Sequence, residues 1–418
     1  MYCLDTELDP DYFSIHNLGV INIRCGKTWL MALNVPLDSG WHRGKLPATT
    51  NGHVMNMNLP GLLSRKTVLL ASILALGSTL CVPSISSASG STKLFYSPGE
   101  IVISEGQVWV ANVGTNPSAY GSATEGYFSL TELNASNGSF VRFVNADADG
   151  ISSPDGITVS GGHLWVANGL GGSVTELNAT DGSLVRVVSS SADKMSGPAG
   201  IAVSEGHVWV GNTTADNGSV RGSSLTELNA SNGSLVRIVN SSADKFSYPD
   251  SIAVSGGHVW VVNATADNGN ASGSSLTELN ASNGSLVKVI RSSAGRLEAG
   301  TIAASGDHVW VAGSGVVTEL NASSGSILRV INASADQISS ASNIAVSGGH
   351  VWVACSASVT ELNASNGSLV RIVNAPADKF SSASDIAVSG GDVWVTNIEG
   401  NSVTELNASN GSLVRVIE

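Results

Sequence analysis

Apolar triplets alternate with polar turns along most of the chain, and the alternation repeats. From residue 201 the order is Ile201-Ala202-Val203, a small turn, Val208-Trp209-Val210, a polar loop, then Leu225-Thr226-Glu227-Leu228. The turn Asn229-Ala230-Ser231-Asn232-Gly233-Ser234 and the apolar run Leu235-Val236-Arg237-Ile238 complete the unit. Seven such units follow one another. Their tryptophans are Trp109, Trp165, Trp209, Trp260, Trp310, Trp352 and Trp394; their Thr-Glu-Leu-Asn tetrads begin at Thr131, Thr175, Thr226, Thr277, Thr318, Thr360 and Thr404. Tetrads 41 to 51 residues apart have the size of propeller blades rather than helical repeats.

Each unit reads as four strands. In the fourth unit they are 252–254 with its flanks, His258–Asn263, Ser275–Asn280 and 286–290. Ser-Gly-Gly or Ser-Glu-Gly joins the first strand to the second, and Asn-Ala-Ser-Asn-Gly-Ser the third to the fourth; both supply the positive φ that tight hairpins need. The expected fold is all-β, a seven-bladed β-propeller of four-stranded antiparallel blades over 99–418. First and second strands are nearly all apolar, so both their faces must be covered by neighbouring blades, with each Trp wedged between two of them. A further regularity pairs Glu132 with Arg142, Glu227 with Arg237 and Glu278 with Lys288, always ten residues apart. With Asn134 opposite Phe140, this register predicts an exposed ion pair near the rim of each blade, contributing about 0.2–1 kcal/mol.

Residues 1–54 share nothing with the repeats and are expected to lack a fold, the mark of a mis-assigned gene start. Over 55–88 the pattern changes to that of a secretory signal: Arg65-Lys66, an apolar run at 68–82, and Ser86-Ser87-Ala88 before the cleavage point. The run is shorter than the roughly 20 residues of a membrane-spanning helix, and Leu80 before Cys81 is too bulky for a lipoprotein site. The protein is therefore expected to be secreted, extracellular or periplasmic, without stable membrane insertion once the signal is removed.

Charge narrows the partners. The formal net charge of −13 repels phosphate backbones, which argues against nucleic acid. Of Cys3, Cys25, Cys81 and Cys355 only the last lies in the repeats, so no disulfide can staple the array and no cysteine cluster can hold zinc.

The units Val393-Trp-Val-Thr-Asn397, Ser402-Val-Thr-Glu-Leu406 and Gly411-Ser-Leu-Val-Arg-Val416 resemble the YVTN-type β-propeller repeat, with NHL-repeat proteins and streptogramin lyases as relatives. The resemblance covers 99–418 and implies a closed ring with the first strand of each blade at the channel and the fourth at the rim. The first and last units each hold their own four strands, so no strand is borrowed across the seam, although 93–96 could add a short pairing there.

Connections after the second strand differ in length between units, with long copies at 113–127, 213–224 and 264–275, whereas the turns at the opposite end hardly vary. That asymmetry marks the loop-rich end as a binding surface for a protein or glycan ligand. No catalytic set stands out. His163, His207, His258, His308 and His350 occupy one turn slot, filled by Gln107 and Asp392 in the other two units, which suits solvated turn structure rather than a general base. The streptogramin lyase resemblance implies a His, an acid and magnesium at the loop-rich end, and no repeat His falls there. Glu100, Asp155, Asp250, Asn343 and Asp385 enter the first strands near the channel mouth, where converging oxygens could hold Ca2+ or Mg2+. Sugar-lactone hydrolases of similar shape hold a cation so, making a metal-dependent lyase or lactone hydrolase the alternative function. Asp216-Asn217-Gly218 and Asp267-Asn268-Gly269 read as turns, as do the sequons at Asn134, Asn178, Asn229, Asn280, Asn321, Asn363 and Asn407. A monomeric binding scaffold is the reading these features favour.

Overall fold

The computed structural model describes residues 93–418 except 115–127, 146–149, 190–194, 214–222, 241–245, 265–274, 292–296, 298–299, 314, 333–337 and 339–340, and before them only five short strands. Two compact units result, Met1–Thr92 and Lys93–Glu418. In the first, β1 (Ser14–His16), β2 (Val20–Cys25) and β3 (Trp29–Asn34) form an antiparallel sheet in that order, and β4 (Lys45–Leu46) pairs with β5 (Met55–Asn56). The leader expected to have no fold thus carries strands, because Val20-Ile-Asn-Ile-Arg-Cys25 and Trp29-Leu-Met-Ala-Leu-Asn34 are rich in β-branched, aromatic and aliphatic residues. The expected signal segment lies outside the described residues apart from β5.

The second unit is the ring. Blade 1 consists of β6 (Pro98–Ser104), β7 (Gln107–Asn112), β8 (Ser129–Asn134) and β9 (Phe140–Asn145). Blade 2 is β10–β13 (154–188), blade 3 β14–β17 (198–240), blade 4 β18–β21 (249–291), blade 5 β22–β25 (301–332), blade 6 β26–β29 (341–373) and blade 7 β30–β33 (383–417). Every blade is a four-stranded antiparallel sheet in chain order, so the seam between blades 7 and 1 closes without a borrowed strand, through packing and side-chain hydrogen bonds such as Thr396 Oγ1 to the Gly99 carbonyl at 2.6 Å. Residues 93–97 form no strand there. Phe95 instead is fully buried against Trp394 and Val403 of blade 7.

Packing between blades follows one rule. Trp209 stands opposite Ala202 on the first strand, whose small side chain leaves the indole room, and packs against Ile252, Val259, Val261 and Leu279 of blade 4. Trp394 does the same against Ile101, Val108, Val110 and Leu133 of blade 1. All seven indoles are at most 1% exposed. Each seam also receives one apolar side chain from the connection between blades, and this plug is the element the repeat pattern had not disclosed. Ile151 sits with Trp109, Met195 with Trp165, Phe246 with Trp209, Leu297 with Trp260, Ile338 with Trp310 and Phe380 with Trp352.

The ten-residue Glu–Arg spacing does set the register, but the pairs are not exposed. Glu132 faces Arg142 and Leu133, not Asn134, faces Phe140, because a bulge follows the glutamate; the same bulge recurs in all seven blades. The glutamates lie beneath the sheet surface, 0–2% exposed. Each binds the Nε of its arginine at 2.5–2.9 Å, and Glu278 meets Lys288 at 3.4 Å. The basic group then reaches the next blade: Arg186 donates to the Ser231 carbonyl, Arg237 to Ser282, Arg329 to Ser365 and Arg371 to Ser409. Arg142 and Lys288 likewise reach the Asp181 and Ser324 carbonyls. Under each arginine lies the turn glycine of the following blade. A β-carbon on Gly233 (φ +72°) would stand 2.8 Å from the Cδ of Arg186, and one on Gly138 2.7 Å from that of Arg415, which shows the last blade gripping the first. Glycine is thus required twice over, for its left-handed φ and for the close approach.

Removing one partner of such a bridge strands a buried charge. Arg237→Ala, which leaves the Glu227 carboxylate buried without its guanidinium, is expected to destabilise the ring by about 3–5 kcal/mol in urea unfolding; a loss near zero would show that the pair does not hold the seam.

Candidate functional site

Hairpin connectivity divides the ring into two ends. The turns after first and third strands lie at one end and are closed by internal hydrogen bonds: Asn229 Oδ1 accepts from the Ser231 amide at 2.9 Å, with the same bond in the other blades. The sequon asparagines are therefore engaged as turn formers. Connections after second and fourth strands lie at the other end. Those from Asn112 to Ser129, Asn212 to Ser224 and Asn263 to Ser275 are long, whereas Gly313 to Val316 and Cys355 to Ser358 are minimal. Residues 115–127, 214–222 and 265–274, which include both Asp-Asn-Gly segments, lie outside the described residues.

A buried asparagine anchors the base of this end. Asn112, Asn168, Asn212 and Asn263 are 0% exposed and accept on Oδ1 from the amides of Tyr96, Ser152, Ser196 and Ser247 at 2.9–3.3 Å. Their Nδ2 atoms donate to serine and threonine hydroxyls on the third strand at 2.9–3.2 Å. One side chain thus ties the second strand, the third strand and the incoming connection together. Gly313 and Cys355 replace it in blades 5 and 6, the two with the shortest connections.

The five sequence-predicted oxygen donors sit at the start of the first strands, but in two different slots. Glu100, Asn343 and Asp385 immediately precede the strand isoleucine, whereas Asp155 and Asp250 stand one residue earlier. The register of the first strand is shifted by a bulge or irregularity at this point in all five blades, and the charges of Asp155 and Asp250 still act on Glu100. The first slot aims at the next blade: Thr301 Oγ1 donates to Asn343 Oδ1 at 2.6 Å, and Asp385 Oδ2 accepts from the Ile101 amide at 2.7 Å. In blades 2 and 3 that slot is Gly156 and Gly200, and a β-carbon on Gly200 would come within 2.6 Å of the Asp250 carbonyl. Asp155, in the other slot, is exposed, accepts from Ser153 Oγ at 2.8 Å and lies against Gly169.

Electrostatics set two of these acids apart. Asp385, 5% exposed, has its pKa pushed up to about 6 by burial, against the stabilising amides of Ile101 and Ile386 and a hydrogen bond with Glu100. Burial, and then Asp385, Asp250 and Asp155, raise Glu100 well above the usual carboxylate range. The Glu100–Asp385 pair shares a proton across the closing seam. Asp250 is raised by burial and by Asp155, and Tyr248 by burial and by both aspartates. Among the described residues, no three His, Cys, Asp or Glu side chains gather to hold a metal ion.

The histidines sit at the opposite end and are more than solvated turn residues. Nδ1 of His163, His207, His258, His308 and His350 binds the second oxygen of the buried glutamate in its own blade at 2.6–2.9 Å. A His–Glu–Arg bridge results in blades 2, 3, 5 and 6, and a His–Glu–Lys bridge in blade 4. Burial raises Glu176, Glu227, Glu278 and Glu361, while the basic partners pull them back. The signal in the sequence was the shared slot itself, which was visible without its partner.

A family model described as outer membrane protein assembly factor BamB matches residues 253–416. Among solved structures, hydrazine synthase of Kuenenia stuttgartiensis superposes with a TM-score of 0.56 at 15% identity, over 74% of this chain and 95% of that one. The Pan2 WD40 domain of Neurospora crassa gives 0.53 at 9% identity, over 72% and 86%. BamB of Moraxella catarrhalis gives 0.43 at 16% identity, over 73% and 80%. The chain is a β-propeller repeat protein. No curated protein matches it in sequence. Among the described residues, no helix of this propeller is long and apolar enough to cross a membrane.

The proton-sharing pair fixes a pH dependence. Because the folded state holds a proton on Asp385 that the unfolded chain releases near pH ~4, its contribution is full below that pH and is lost as pH rises through about 6. Glu100→Gln keeps a hydrogen-bonding partner for Asp385 without a second charge. The variant is expected to melt like the parent at acidic pH and several degrees higher at mildly alkaline pH; matching profiles across the range would contradict proton sharing.

Proposed function

We infer that the propeller is an exported binding module that takes a protein or glycan ligand on its loop-bearing end. The observation that carries this reading is the asymmetry between the ends. Seven turns at one end are closed by the same hydrogen bonds, while at the other a rigid asparagine-anchored base carries connections of unequal length in blades 1, 3 and 4. Variable loops on a fixed frame are how a common scaffold acquires a particular specificity. Resemblance to YVTN and NHL repeats accords with such a role, as does the partial likeness to the BamB family model. Export rests on the signal-like segment at 55–88, and a soluble monomer on the net charge of −13 and the self-contained ring.

The alternative, a metal-dependent lyase or lactone hydrolase using Ca2+ or Mg2+ at the channel mouth, has the mutual proximity of Glu100, Asp155, Asp250 and Asp385 in its favour.

Replacing the connections at 113–128, 213–223 and 264–274 with the short Gly313-Ser-Gly315 type is expected to leave the melting temperature within a few degrees and abolish retention of the ligand. Retention undiminished by all three replacements would remove this end as the binding surface.

A further inference from the structure

Blade 7 breaks the rule that blades 2 to 6 keep at the short-turn end. In blades 2 to 6 an imidazole nitrogen covers one oxygen of the buried glutamate, leaving the other to the arginine or lysine. In blade 7 the imidazole slot holds Asp392, while Glu405 keeps only Arg415, at 2.7 Å from its Oε2. A second carboxylate therefore stands where the sibling blades place a base, and its charge acts on Glu405. Blade 1, with Gln107 in that slot, adds no charge to the Glu132–Arg142 pair, so the imbalance belongs to blade 7.

We propose that the slot formed by Asp392 and Glu405 is a docking socket for a basic nitrogen group, the ammonium or imidazolium of a side chain carried by a partner. Five sibling slots in the same chain show what the site is shaped to accept: a nitrogen 2.6–2.9 Å from Oε1 of a buried glutamate. Glu405 is 2% exposed, and among the described residues no basic group faces its Oε1. Asp392 is half-buried and its side chain is shorter than the imidazole it stands in for.

The charges around the slot agree. Burial pushes Glu405 up to about 7, and Asp392 adds to this against the pull of Arg415. A cation entering from outside would offset what Arg415 alone cannot. Arg415 is itself committed to the seam, lying over Gly138 of blade 1, so an arriving base would brace the closure of the ring. A nitrogen base is favoured over a metal because no three ligating side chains meet among the described residues. The socket lies at the end opposite the loops and stands independently of the ligand assigned to them.

The test uses the full chain and small probes near neutral pH. Imidazolium chloride, compared with sodium chloride at equal ionic strength, is expected to raise the melting temperature of the parent by about 1–3 °C. Asp392→His, which fills the slot as the sibling blades do, is expected to raise it without any probe and to abolish the imidazolium effect. Asp392→Asn, which neutralises the slot but leaves it unfilled, is expected to reduce the response. Equal responses in parent and Asp392→His, or none in either, would overturn the proposal. Stabilisation by calcium chloride but not imidazolium would overturn it in favour of a metal.

Discussion

A carboxylate buried between two strands must be answered by a cation, and the sequence meets that need by making each blade lean on the next. Glu227 cannot sit under the sheet alone; Arg237 covers it, and the same guanidinium reaches the Ser282 carbonyl of the following blade. Isolated on a surface, such a pair contributes little, but here both its desolvation and its reach across the seam raise what is lost when it breaks. Trp209, buried in the same seam, supplies the non-directional part of the contact. Charge bridge and indole together make the interface between blades, rather than the blade, the unit that repeats.

Much of this was legible in the residues. Seven tryptophans and seven Thr-Glu-Leu-Asn tetrads at near-constant spacing declare the ring, and the turn sequences declare antiparallel hairpins. Glu132 and Arg142 were paired correctly from their separation, yet their burial was not, because period and spacing report the register and not which face a neighbouring blade covers. The bulge after Glu132 was likewise hidden, since two residues opposing one leave no mark in an apolar count. Phe95, Ile151 and Phe246 escaped notice because plugs come from irregular connections, where no period singles them out.

The channel mouth shows the same limit in another form. Glu100 and Asp155 look alike in sequence, each near the start of a first strand, but one residue of offset turns their side chains to different surroundings. Asp385 ends up across the seam from Glu100, sharing a proton, while Asp155 faces solvent beside Ser153. Three-dimensional neighbours such as His207 and Glu227, 20 residues apart on different strands, become visible only once the strands are paired. The asymmetry in connection length between the two ends was legible because the sequence states loop lengths directly.

The central claim is that the seams join seven blades into one cooperative ring, closed between blades 7 and 1 as firmly as elsewhere. Urea unfolding of Trp394→Ala, at the closing seam, and of Trp165→Ala, at an internal one, tests it most directly when followed by both fluorescence and far-ultraviolet circular dichroism. The account predicts one coincident transition in each variant, shifted by a similar amount, about 3–5 kcal/mol. Two resolved transitions, or a closing-seam variant no less stable than the parent, would contradict it.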